Sequence, residues 1–118
     1  MKKLVKTIMS SSLTRTIAYK MVAGFAKDEL FSGVTTIRTV GGLGNFDTRL
    51  RDEIESGTKL GPRILAANQG ISVPGGHMAG SVAVAASTIP DALKQLEKAK
   101  QEKVDLIKLM ITGGVLFC

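Results

Sequence analysis

Lys108 stands in the run Val104-Asp105-Leu106-Ile107-Lys108-Leu109-Met110-Ile111, which ends in Thr112-Gly113-Gly114. The run is apolar without helical spacing, the pattern of a strand buried on both faces of a parallel sheet. A lysine there is an anomaly, because removing an ammonium from water is costly. Two readings are open. In one, Lys108 pairs with a buried carboxylate or snorkels at a sheet edge. In the other, burial depresses its pKa and leaves a neutral amine able to act as nucleophile, base or CO₂ acceptor. On a period of two, Leu106, Lys108 and Met110 share one strand face, and Ile107, Leu109 and Ile111 share the other.

His77 is the only histidine of the chain and follows Pro74-Gly75-Gly76. A single imidazole cannot build a zinc site unaided, since zinc takes three or four protein ligands. A loop histidine satisfied by backbone is the plain reading; flanking glycines, which let a backbone approach a ligand closely, favour a functional one. The loop Gly41-Gly42-Leu43-Gly44-Asn45 invites a dinucleotide-binding reading. From Gly42, however, the run is Gly-Leu-Gly-Asn-Phe-Asp, so Asp47 replaces the third glycine and would repel phosphate at a helix start. There is no Walker A pattern, and nucleotide binding is set aside.

The elements that must position these residues alternate. Leu13, Ile17, Met21, Val22, Phe25, Ala26 and Leu30 form the stripe of an amphipathic helix over residues 13–32, ended by Gly33. Residues 34–40 are β-branched and strand-like. Asp47 is expected to cap a second helix running to Ser56, with Gly57 ending it, and residues 63–67 read as a second strand. Residues 68–87 read as one long loop. Thr88-Ile89-Pro90-Asp91 resembles a capping box, after which Ile89, Leu93, Leu96 and Ala99 line one helical face. The third strand is 104–111. Strands too far apart for hairpins imply a parallel α/β sheet with right-handed helical crossovers. Three strands leave both sheet edges and one face exposed, so the chain either associates or forms part of a larger α/β barrel or sheet.

The chain has 118 residues, 44% of them hydrophobic, with four Phe, one Tyr and no Trp. This fits one modest globular domain with a core of Ile, Leu, Val, Ala and Met. The net charge of +6 is unevenly placed. Lys2, Lys3, Lys6, Arg15, Lys20 and Lys27 precede the first acid, Asp28, and the charges beyond cancel. Basic residues are not spread over a face interleaved with aromatics, which argues against a nucleic-acid partner. No apolar stretch is long enough to span a bilayer, and no membrane partner is expected. Lys6, Arg15 and Lys20 interrupt any secretory h-region, and a basic helix is the plainer reading of the start. Cys118 is the single cysteine, so no intrachain disulfide forms and a cytoplasmic location is expected. Residues 1–12 read as a basic N-terminal segment and 13–118 as the domain.

Three segments taken together resemble the metal-dependent amidohydrolase superfamily, in particular the branch of imidazolonepropionase-like enzymes and Xaa-Pro dipeptidases. They are Gly33-Val-Thr-Thr-Ile-Arg-Thr-Val-Gly-Gly42; then Gly61-Pro-Arg-Ile-Leu65 with Ile71-Ser72 and Gly75-Gly-His77; then Asp105-Leu-Ile-Lys-Leu-Met-Ile-Thr-Gly-Gly114. The resemblance implies a partial (β/α)₈ TIM-type barrel, the three strands matching the second to fourth, with the site at their C-terminal ends. It implies hydrolysis of a C–N bond in an amide, peptide or cyclic amide, with a small-molecule or peptide substrate. Lys108 matches the lysine that this branch carboxylates with CO₂ to bridge two divalent metals, zinc being the expected ion. His77 and Arg38 are implied to lie near substrate.

The departures shape the expectation. The first-strand His-x-His pair and the flanking β-sandwich have no counterpart, and the histidines of the fifth and sixth strands and the eighth-strand aspartate would lie beyond Cys118. Thr39 stands where the family commonly has Asp. Lys108 is then the one metal-bridging candidate, no catalytic residue is assigned, and the chain is expected to be a fragment inactive alone. The other expectation is a small non-enzymatic α/β protein that associates through exposed sheet edges and a basic N-terminal helix.

Overall fold

The computed structural model describes residues 2–113; Gly114, at the end of the lysine run, and Cys118 lie outside them. α1 (Lys2–Ser10) and α2 (Ser12–Phe31) are separated by Ser11, whose extended backbone breaks the helical path. There follow β1 (Thr36–Arg38), α3 (Phe46–Glu55), β2 (Arg63–Leu65), β3 (Gly70–Ser72), β4 (Ala83–Ala85), α4 (Ile89–Gln101) and β5 (Leu109–Met110). Every ladder is parallel, as the alternation required: β1 pairs with β2, and β3 lies between β4 and β5. No described helix is long and apolar enough to cross a membrane.

Local chemistry ends the helices where the sequence indicated. At Gly33 and Gly57 (φ +104° and +79°) the next amide reaches back to the carbonyl of Glu29 or Glu53, and the glycine amide to that of Leu30 or Ile54. This is the Schellman closure, which satisfies carbonyls that a helix end leaves orphaned. Lys103 closes α4 in the same way despite its side chain, at φ +55°. Thr88 caps the start of α4 by accepting from the Asp91 amide, while the Asp91 carboxylate accepts from the Ser87 amide and hydroxyl.

Residues 68–87, read from sequence as one loop, hold two of the five described strands. β2 and β3 are two halves of one extended path interrupted at Ala66–Gln69, and the segment from Asp105 runs beside both. The Asp105 amide donates to Ala66 O (2.8 Å), the Ala66 amide to Asp105 Oδ2 (2.8 Å), and the Ile71 amide to Lys108 O (2.9 Å). Arg51 Nη1 on α3 donates to the same Asp105 oxygen (2.7 Å). Three-residue strands carry too little hydrophobic pattern to be told from loop.

At the interruption sits Asn68, 1% exposed and left-handed at φ +56°. Its Oδ1 accepts from the Thr48 amide (3.0 Å), and its Nδ2 donates to Thr48 Oγ1 (3.0 Å) and Glu102 Oε2 (2.9 Å). Its carbonyl accepts from the Gly42 amide (2.8 Å). Asn45, the residue before α3, makes no side-chain cap, so Asn68 does from across the fold what a capping side chain ordinarily does. Asp47 is therefore not the cap expected from sequence. It lies within the first turn of α3, buried against Gly42.

The core lies between α2, α3 and the β1–β2 ladder. Tyr19 and Phe46 meet edge to face, ring centroids 5.3 Å apart, among Ala26, Leu50, Ile64 and Ala66. The Tyr19 hydroxyl donates to Glu53 Oε2 (2.7 Å) and the Arg49 guanidinium lies 3.9 Å over its ring. An aromatic pair thus centres a core expected to be aliphatic; its geometry adds specific attraction to area burial.

Two apolar stripes read as core faces are corrected. On α2 the buried residues are Tyr19 and Ala26, and Leu13, Ile17, Met21 and Phe25 face solvent. On α4 no residue is buried, and Ile89, Leu93 and Leu96 remain largely exposed. Both helices are more apolar than one packed face requires, and only part of that surface has a partner here.

Asn68→Ala removes the amide that satisfies the Thr48 N–H and places a Cβ residue without compensating contacts in the left-handed region. It is expected to cost about 3 kcal/mol, with Asn68→Gly recovering about 1 kcal/mol of that. Urea midpoints of the three proteins check this, and equal midpoints for Ala and wild type would show the amide to be dispensable.

Candidate functional site

An open cleft of about 370 Å³ is lined by His77 and by Lys108, Leu109, Met110, Ile111, Thr112 and Gly113. β5 and its flanks supply one wall, and the turn after β3 supplies the histidine. The two residues singled out for chemistry, 31 positions apart in sequence, therefore line one cleft. Arg38, exposed on β1, does not line this cleft.

Lys108 is half-buried, not the fully enclosed amine that the apolar run implied. Among the described residues β5 pairs with β3 alone, so its second edge has no partner there. The alternation itself holds: Leu106, Lys108 and Met110 are half-buried, and Ile107, Leu109 and Ile111 are exposed. Solvent access explains why no ion pair holds the amine among the described residues. The carboxylate nearest in sequence, Asp105, is committed to Ala66 and Arg51. Lys108 lies along β3 because residue 70 is glycine. A Cβ there would come within 3.3 Å of Lys108 Cγ and 3.1 Å of Met110 Cε.

Two buried polar atoms that the sequence did not single out as functional lie outside this lining. The Ser72 hydroxyl on β3 is buried and unpartnered among the described residues, beneath the Gly76 backbone. Asp47 Oδ2 is likewise buried without a partner. Burial pushes the Asp47 carboxyl above its usual range, while the Thr39 hydroxyl and the Asn68 backbone N–H pull it back. Thr39 Oγ1 also accepts from the Ala67 amide (2.9 Å), tying the end of β1 to the interruption after β2. The sequence offers Asp47 as a helix cap and as a misfit in a glycine motif, and neither reading foretells its burial.

A divalent metal is what the sequence resemblance implied for Lys108. The cleft offers one imidazole and one amine, and no group of three or more His, Cys, Asp or Glu side chains converges among the described residues. That donor set does not fit a binuclear centre. Chemically, the cleft can bind and orient: His77 can donate to or accept from a substrate oxygen, and Lys108 offers a cationic or nucleophilic amine.

No protein-family model matches the chain, and no curated protein does. Solved structures do. A "putative prolidase" from Bifidobacterium longum is 42% identical, with a TM-score of 0.66 over 76% of this chain and 22% of its own. An amidohydrolase and a protein of uncharacterised function are each 25% identical, with TM-scores of 0.71 over 79% of this chain and 27% and 26% of theirs. The chain is thus similar to about a quarter of amidohydrolase-type structures, and it spans far less than their whole length.

Two carboxylates are expected to oppose each other in a pH titration. The Ala66 amide, then Arg51, holds Asp105 below the usual range. Its contribution is fully present above the unfolded value of about 3.9 and is lost as pH falls through the folded value. Asp47 keeps its proton to higher pH folded than unfolded, so stability declines as pH rises from about 3.9 through the raised value. Urea midpoints against pH should show Asp105→Asn flattening the acid-side loss and Asp47→Asn flattening the decline above it. A profile for Asp105→Asn that runs parallel to wild type in acid would mean that this clamp is not ionic.

Proposed function

We propose that residues 13–118 are one arc of an amidohydrolase-type barrel, preceded by a separate basic segment at 1–12. In this reading the arc contributes Lys108 and His77 to a cytoplasmic hydrolase site acting on a C–N bond, and it does not turn over substrate alone. The observation that carries the reading is the 42% identity to the Bifidobacterium protein over 76% of this chain, alongside a cleft onto which both His77 and Lys108 open. Lys108 matches in position the lysine that the resembled branch carries as a metal-bridging carbamate, and its stem rests on β3 with the amine reaching solvent. His77 is suited to hold the substrate oxygen. Arg38 stands apart from the cleft, and its assignment to substrate rests on the resemblance alone.

The missing donors decide what the chain does unaided. With one imidazole and one amine in the cleft, no hydrolytic step is assigned to it here, and completion of the site requires groups from outside the described residues. A second reading, a non-enzymatic protein that works by association, is favoured by the exposed stripes of α2 and α4 and by the open edge of β5.

Two measurements test the hydrolase reading. Purified chain incubated with excess zinc and bicarbonate, then desalted, is expected to retain far less than one metal per chain, with Lys108→Ala no different. Residues 34–113 grafted over the matching segment of the Bifidobacterium protein should give a folded chimera that hydrolyses an Xaa-Pro dipeptide. In that chimera Lys108→Ala should lower kcat/KM by about a thousandfold or more. A chimera of unchanged melting temperature whose activity ignores Lys108→Ala would sink the assignment.

A further inference from the structure

Asp47 is 7% exposed, and its Oδ2 has no hydrogen-bond partner among the described residues. The glycine loop after β1 encloses it. A Cβ on Gly42 would come within 2.5 Å of Oδ1 and 2.6 Å of Oδ2, so the loop can lie on the carboxyl only because residue 42 is glycine. Gly41 and Gly44 flank this contact at φ +137° and +55°, conformations open to glycine without steric cost. The Gly42 amide holds the loop down by donating to Asn68 O (2.8 Å). Oδ2 is thus sealed by residues already described, and no other segment can reach it while the loop is closed.

A carboxyl sealed in this way is tolerated as a neutral acid and costly as an anion. The Thr39 hydroxyl, the Asn68 backbone N–H and the start of α3 all favour the anion, yet burial outweighs them. No charged side chain figures among the groups that act on it. Those of the surrounding elements are engaged elsewhere. On α3, Arg49 pairs with Glu53, and Arg51 with Asp52 and Asp105. On α2, Tyr19 donates to Glu53, and on α4, Glu102 meets Lys98 and the Asn68 side chain. Arg38 on β1 is exposed, and Arg63 on β2 acts on Asp105.

We propose that Gly41–Gly44 is a latch closed over protonated Asp47, and that loss of the proton opens it and frees Met110 in the wall of the cleft. The link to Met110 is direct. Its Cε rests between Gly41 and Gly70, 3.6 and 3.1 Å from where a Cβ on each would stand. Met110 lines the cleft with Lys108. Below about pH 3.9 the carboxyl is protonated whether the latch is open or shut. From there to the raised folded value, only the open form sheds its proton, so the opening constant grows by up to about tenfold per pH unit. The latch stands independently of the hydrolase reading.

Amide exchange of the full chain, read by NMR from about pH 4 to about pH 8 and corrected for the intrinsic base-catalysed rate, tests it. Protection of the Gly42 amide should fall by up to about tenfold per pH unit and then level off. A low concentration of urea should leave Gly42 exchange unchanged while speeding that of the Ile71 amide in the β3–β5 ladder, because a local opening exposes little surface. In Asp47→Asn the pH dependence at Gly42 should vanish. Thr39→Val removes a donor that favours the anion, so it should move the fall to higher pH; it also serves if Asp47→Asn does not fold. With isotope-labelled methionine methyls, the Met110 signal should titrate over the same range in wild type and stay constant in Asp47→Asn. Gly42 protection that ignores pH, that still falls in Asp47→Asn, or that tracks Ile71 in urea overturns the latch. A Met110 methyl that does not titrate overturns its reach to the cleft.

Discussion

A buried amide in a left-handed conformation is the constraint on which the arrangement rests. Asn68 turns the chain out of the first ladder and into the second, and no other side chain suits that place as well. Asparagine tolerates the left-handed region better than residues with larger or branched side chains, and its amide can donate and accept at once. Here it satisfies the first turn of α3, reaches the end of α4 through Glu102, and holds the glycine loop after β1 through its carbonyl. Three segments distant in sequence are thus registered by one residue. In a site so dry each of those bonds is worth keeping, because any group left unpaired would bear the full cost of desolvation.

The same residue explains the shape of the cleft. Because the extended path breaks at Ala66–Gln69, β3 can pair on one side with β4 and on the other with β5. The turn that follows β3 then carries His77 to the wall formed by Lys108 and its neighbours. Arg51 and Asp105 anchor the start of that wall to α3, so the lysine is presented by a segment fixed at both ends. The chemistry that the cleft could support is therefore set by rigid backbone, although the donors present are few.

What the sequence made legible was local and periodic. Helix ends at Gly33 and Gly57, the Thr88 cap and the parallel sense of the strands all follow from chemistry within a few residues or from the order of elements. The strands at Gly70–Ser72 and Ala83–Ala85 were not legible, because three residues cannot display an alternation. Lys108 was misjudged as enclosed for a different reason. Apolar content reports that a segment can be buried on both faces, not that a neighbour is present to bury it. The alternation within that segment was nonetheless correct, and so was the grouping of Lys108 with Leu106 and Met110. The role of Asn68 lay beyond any pattern, since its partners are 20 and 34 positions away.

Tyr19 is the single tyrosine in a chain without tryptophan, and it sits where α2, α3 and the first ladder meet. Burial and the Glu53 carboxylate push its phenol well above the usual range, so the ring stays protonated through ordinary alkaline conditions. Its absorbance and emission consequently report one half of the molecule. Loss of the α2–α3 contact releases that chromophore from its seat between Phe46 and Arg49. Optical spectroscopy thus observes one half of this chain and amide exchange observes both, so any gap between their transitions measures how tightly the Asn68 junction couples the halves.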